Sequence, residues 1–142
     1  MLLCGILALR FAAMRIEIPP SGSWKGYYLY GHGGVRHRMA LRLTFGPAGG
    51  IEGNGIDDIG RFVIDGSFDS ATAGASWLKA YLGMHTVNYS GIYCARTICG
   101  DWTLHGVIGG FWIWPSAIGE QELAQVADEV ELRLGLVTAE PC

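Results

Sequence analysis

From Trp24 to Pro115, glycine cuts the chain every eight to twelve residues, and the pieces between the cuts alternate apolar with polar side chains. Short segments with this period of two form antiparallel strands joined by tight turns, since alternation turns one face toward a core and the other toward water. The clearest piece is Arg36 to Phe45. Met39, Leu41, Leu43 and Phe45 share one face, and Arg38, Arg42 and Thr44 share the other. The pattern predicts eight strands, at about 24–30, 36–45, 50–57, 61–69, 75–82, 85–94, 97–104 and 109–115. Connections such as Gly31-His32-Gly33-Gly34, Gly46-Pro47-Ala48-Gly49 and His105-Gly106 are too short for parallel crossovers, which leaves a meander.

An open sheet of that many strands would leave two edges unpaired, and closure removes both. The predicted fold is therefore all-β, an eight-stranded antiparallel up-and-down β-barrel. An open sheet capped by a helix is the competing arrangement. Gly26, Gly53, Gly55, Gly66, Gly91 and Gly100 fall among the inward positions, where a missing side chain lets a strand bend or gives a ring room. After Pro115 the period changes. Leu123, Val126, Ala127, Val130 and Leu134 recur at helical spacing, with acids in the first turn and Gly135 as a stop, which predicts one C-terminal amphipathic helix against the barrel.

Residues 22–135 are thus read as a single domain, 1–21 as an N-terminal extension and 136–142 as a tail. The apolar start, Met1 to Leu9, has no positive residue before it and is too short to span a bilayer. Met14-Arg15-Ile16-Glu17-Ile18 reads as the natural beginning. With 142 residues, half of them hydrophobic and a net charge of −3, the chain can bury its own core but has no basic excess for phosphate. Neither nucleic acid nor membrane is an expected partner.

Cys4, Cys94, Cys99 and Cys142 are too dispersed for a disulfide framework. Cys94 and Cys99 flank the Ala95-Arg96 turn on a diagonal that is too long for an unstrained bridge. Reduced thiols and a cytoplasmic location are expected, and the Asn88-Tyr89-Ser90 sequon carries no weight there.

Gly22-Ser23-Trp24 at the head of the first strand, followed by the meander and the late helix, resembles the calycin group of lipocalins, fatty-acid-binding proteins and avidins, in which a Gly-x-Trp element closes the barrel floor. Gly53-x-Gly55-x-Asp57, Phe62-x-Ile64-x-Gly66, Lys79-x-Tyr81, His85-x-Val87-x-Tyr89-x-Gly91 and Ile98-x-Gly100-x-Trp102 are also similar to small bacterial proteins without an assigned function. The resemblance implies the fold and carries no chemistry with it.

Candidate chemistry comes from strand parity. Trp77, Lys79 and Tyr81 share one face of the fifth strand, and Leu78, Ala80 and Leu82 share the other. Wide rings suit a barrel interior, so the first set is placed inside. On the sixth strand the inward set holds His85, Val87 and Tyr89, and Asp57 shares a face with Ile51. Together with Trp24, Tyr28 and Trp102 these residues predict a ligand-binding interior, with rings for stacking and Asp57, Lys79, His85 and Tyr89 for orientation. Two other readings of Lys79 stay open, a satisfied internal ion pair and a side chain lying along the rim.

No catalytic constellation stands out. Gly31-His32-Gly33-Gly34 lacks the Gly-x-Ser-x-Gly elbow of a hydrolase. His32, His37, His85 and His105 lack metal-ligand spacing, and Gly53-x-Gly55 lacks a following helix, so no metal or cofactor is expected. The expected function is non-enzymatic binding of a small apolar or aromatic molecule inside the barrel. An acid/base isomerase or cyclase and a solid-cored scaffold are the alternatives, and a homodimer through Trp112 and Trp114 is a further option.

Overall fold

The structure is a computed structural model that describes residues 17–116. Eight strands follow one another: β1 Gly22–Tyr28, β2 His37–Phe45, β3 Gly50–Asp57, β4 Arg61–Asp69, β5 Gly74–Tyr81, β6 Thr86–Cys94, β7 Thr97–Leu104 and β8 Val107–Pro115. Each pairs antiparallel with the next, and β8 pairs with β1, so the sheet is a closed up-and-down barrel. The predicted helix after Pro115 and the start at Met14 lie outside the described residues. Among the described residues no helix is long and apolar enough to cross a membrane.

Strand bounds differ from the sequence reading mainly at the seam. β1 begins two residues earlier, at Gly22, and β8 begins at Val107 because His105 and Gly106 alone make the turn. Both turn residues have positive φ, 49° and 82°, as do Ala95 and Arg96 at 51° and 63°. Two such residues in a row give the turn whose twist matches that of paired strands, and they place Cys94 opposite Thr97.

The interior fills by alternation. On β2, Met39, Leu41, Leu43 and Phe45 are buried, and Thr44 is exposed. At six inward glycines, Gly26, Gly53, Gly55, Gly66, Gly91 and Gly100, an added Cβ would stand 1.9 to 2.5 Å from a carbonyl oxygen of the neighbouring strand. These are the points where strands approach too closely for any side chain.

The two ends of the barrel differ. At one, Trp24 is fully buried against Phe45 and donates its indole N–H to the Pro20 carbonyl at 2.9 Å. The Phe45 amide donates to Ser21 Oγ at 2.9 Å, which ties the segment before β1 across this end. The Gly-x-Trp element thus lies at a closed floor. The other end, ringed by the β1–β2, β3–β4, β5–β6 and β7–β8 connections, carries the polar chemistry. On the outer wall Tyr27 packs against Trp112 and Trp114, with ring centroids 5.3 and 6.2 Å apart, and both tryptophans are half-buried.

Cys99 is disulfide-bonded and Cys94 carries a free thiol. This corrects the expectation that the thiols are all reduced. The prediction against a Cys94–Cys99 bridge stands.

Candidate functional site

Lys79 and Asp57 are the buried charged side chains among the described residues. Lys79 lies on β5 between Trp77 and Tyr81, all three buried, while Leu78 on the opposite face is 46% exposed. The ring-bearing face is therefore the inner one, and it takes the lysine inside with it. Lys79 has no exposed surface at all. An ammonium in such a place needs a counter-charge and hydrogen-bond partners. Asp57, at the end of β3, supplies the charge, with Oδ2 2.5 Å from Nζ. Nζ also donates to the Tyr89 hydroxyl at 3.2 Å and toward Met39 Sδ at 3.7 Å. The rings of Phe62, Tyr28, Tyr81 and Tyr89 surround it with centroids 4.3 to 5.1 Å away, close enough for attraction to their π faces.

Asp57 is held from both sides. Its Oδ1 accepts the Ile59 amide at 2.9 Å and the Gly60 amide at 3.4 Å, which builds the β3–β4 turn, and its Oδ2 also accepts the Tyr81 hydroxyl at 2.6 Å. The adjacent carboxylate, Asp58, works one level higher. It accepts the Tyr28 hydroxyl at 2.6 Å on one oxygen and lies 2.6 Å from His37 Nδ1 on the other. The His37 ring stacks on Tyr28 at 4.8 Å.

Above this layer, at the open end, is a pocket of about 130 Å³. Five of the nine residues predicted to bind a ligand border it: Tyr28, Tyr81, His85, Tyr89 and Trp102. Lys79 and Asp57 lie directly beneath, bonded to its floor. Trp77 backs Tyr89 in a near-parallel stack, at 5.6 Å and 12°, without bordering the pocket. Trp24 lies at the far, closed end. Strand parity separates inside from outside but carries no height along the barrel axis, so the tryptophan of the first strand could not be told from a pocket wall.

Residues outside those nine complete the pocket. Tyr30 was expected at the end of the first strand but lies past it in a connection, as Ile59 does, and Leu104, expected on the inward face with Trp102, flanks the β7–β8 turn with Val107. Asp58 and His37 were also missed, because a turn aspartate next to a strand-leading histidine has no periodic signature. Among the described residues no group of His, Cys, Asp and Glu is arranged to hold a metal ion.

Comparison of the chain with family models, curated proteins and solved structures finds no match. The site is therefore interpreted from its own geometry.

Burial pushes the Lys79 ammonium below its ordinary pKa, and the charge and hydrogen bond of Asp57 pull it back. Burial, reinforced by neighbouring aspartates, pushes the Tyr28, Tyr81 and Tyr89 hydroxyls far up. These effects have opposite signs in stability. The fold binds fewer protons than the unfolded chain at Lys79, so that contribution grows with pH until the unfolded lysine titrates near 10.5. The phenols hold protons that unfolded tyrosines release near pH 10, so their stabilisation is complete below about 10 and falls above it, by up to about 1.4 kcal/mol per pH unit for each. In an alkaline titration, tyrosinate from Tyr28, Tyr81 and Tyr89 should appear only as the near-UV circular dichroism collapses. Full ionisation in a still-folded protein would contradict the burial of these hydroxyls.

Proposed function

We propose that this protein binds a small apolar or aromatic molecule, without turnover, in the pocket at the open end of its barrel. The observation that carries this reading is the pocket itself, about 130 Å³ walled by Tyr28, Tyr81, Tyr89 and Trp102 over a charge-balanced floor. Ring-lined concavities with few polar groups are the usual form of small-molecule sites. The volume is close to the roughly 150 Å³ apolar cavity known to accept benzene, so the ligand is of single-ring size. The interior below the floor is filled by side chains, so the ligand sits at the mouth and not along the barrel axis. A calycin-like relationship fits this architecture, with the ligand drawn from a narrower size class.

The acid/base alternative is favoured by one observation, the hydrogen-bonded chain from Tyr28 through Asp58 to His37 beside the pocket. Turnover would require that chain to reach a bound molecule.

Trp102 reports on occupancy. Titration of the protein with a varied set of small aromatic and apolar metabolites should quench its fluorescence saturably, and Trp102→Phe should abolish the signal. His85→Ala, at the exposed rim, should change affinity only a few-fold. Lack of saturable quenching by every compound would sink the binding reading. A compound recovered chemically changed, as judged by mass spectrometry, would replace it with the enzymatic one.

A further inference from the structure

Three of the hydroxyls or indole groups facing the pocket have already committed their protons. Tyr28 donates to Asp58, Tyr81 donates to Asp57, and Trp102 donates its N–H to the Leu29 carbonyl at 2.7 Å. Tyr89 differs. Its oxygen accepts from Lys79 at 3.2 Å, yet among the described residues no acceptor takes its own proton. The residue is 3% exposed and borders the pocket, so a partner for that proton has to come from the pocket side. A buried donor without a partner is a costly arrangement, and one that a ligand oxygen relieves.

The group behind Tyr89 strengthens this donor. Lys79 donates into the phenol oxygen, which draws electron density from the O–H and makes it a better donor to the next acceptor in line. Burial keeps the phenol protonated, so the donor persists at neutral pH. The same floor disfavours a charged guest. The Lys79 charge is already balanced by Asp57, and the second carboxylate, Asp58, is one hydrogen bond away through Tyr28. Among the described residues no lysine or arginine borders the pocket, and two carboxylates lie near an anion's path.

We propose that the pocket selects a neutral, single-ring molecule bearing one acceptor oxygen, with Tyr89 as the donor that reads it. The ring packs among Tyr28, Tyr81 and Trp102, and the oxygen takes the proton of Tyr89, the buried donor of the pocket, while Tyr30 and His85 border it from exposed positions. This assignment rests on the binding reading above and narrows it to a ligand class.

Acetophenone, ethylbenzene and benzoate are near-isosteric probes that separate the terms. Calorimetric titration of the full chain should rank acetophenone about ten-fold tighter than ethylbenzene, the ratio expected for one buried hydrogen bond, with benzoate weakest. The carbonyl stretch of bound acetophenone should move to lower frequency than in an apolar solvent. In Tyr89→Phe the acetophenone advantage over ethylbenzene and the frequency shift should both vanish, whatever the change in affinity common to the two probes. Equal affinity for ethylbenzene and acetophenone, tightest binding of benzoate, or a shift that survives Tyr89→Phe would each overturn the assignment and leave the binding reading intact. Failure of all three probes to bind would overturn the assignment, and the binding reading with it only if the varied set of compounds also gives no saturable quenching. Should Tyr89→Phe fail to fold, the carbonyl stretch in the unaltered protein still decides, because an unshifted band means that no donor meets the oxygen.

Discussion

Alanine at position 26 should leave the barrel unable to close. Gly26 lies on β1 opposite Ile113 of β8, and this junction is the shortest in the sheet, running only from Trp24 opposite Pro115 to Tyr28 opposite Phe111. A Cβ there would stand 1.9 Å from the Trp112 carbonyl oxygen and 2.7 Å from the Ile113 Cα. Both are backbone atoms, so no side-chain rotation relieves the overlap, and the two strands must separate. Overpacking in a core commonly costs 1–3 kcal/mol, and a rigid obstacle at the seam puts Gly26→Ala at or above about 3 kcal/mol. The matched control is Gly50→Ala, where an added Cβ meets nothing within 4 Å; the expected change is within about 0.5 kcal/mol. Urea midpoints measure both. Hydrogen exchange locates the damage, since the Leu29 amide bonded to the Gly110 carbonyl and the Gly110 amide bonded to the Gly31 carbonyl should lose protection first. A loss below about 1 kcal/mol, with these amides still protected, would show that the seam yields without opening.

The same geometry shows what a reader of the bare sequence could and could not reach. Met39, Leu41, Leu43 and Phe45 declare an inward face because their neighbours are polar, and the glycines among inward positions declare close strand approach. β5 is harder, since Leu78 and Leu82 are as apolar as Trp77 and Tyr81. Ring volume decides it, and the leucines end up 46% and 56% exposed. Once Lys79 is inside, Asp57 follows as its partner, because a buried ammonium is tolerated only beside a counter-charge. Height along the barrel stayed hidden, which is why Trp24 was grouped with residues at the opposite end. So did everything carried by connections. Tyr30, Ile59 and Asp58 owe their positions to turns, whose paths follow from tertiary closure and leave no period in the chain.

Asp57→Asn should be the most damaging polar substitution in the interior. Asparagine still offers an oxygen to the Ile59 and Gly60 amides, so the β3–β4 turn survives, but Lys79 then faces an amide where its carboxylate stood. Removal of one partner of a buried ion pair costs about 3–5 kcal/mol. The protein can limit that loss by releasing the lysine proton. In that case the variant's stability should rise with pH from neutrality toward 10.5, by about 1.4 kcal/mol per unit, because the unfolded lysine stays protonated until then. Lys79→Met should cost less, since Asp57 retains the Tyr81 hydroxyl and two amide donors. The double variant Lys79→Met/Asp57→Asn buries no charge and should be more stable than Asp57→Asn alone. A double variant whose loss equals the sum of the singles would mean that the two groups are not coupled, and the short contact would be incidental. The double variant also separates structure from function. If the pair only holds the barrel together, the refolded double variant should bind acetophenone and ethylbenzene in the same ratio as the unaltered protein. If Lys79 polarises Tyr89 for a ligand, that ratio should shrink toward one while ethylbenzene affinity holds, because Tyr89 would keep its place beside the pocket and lose the donor that sharpens its proton.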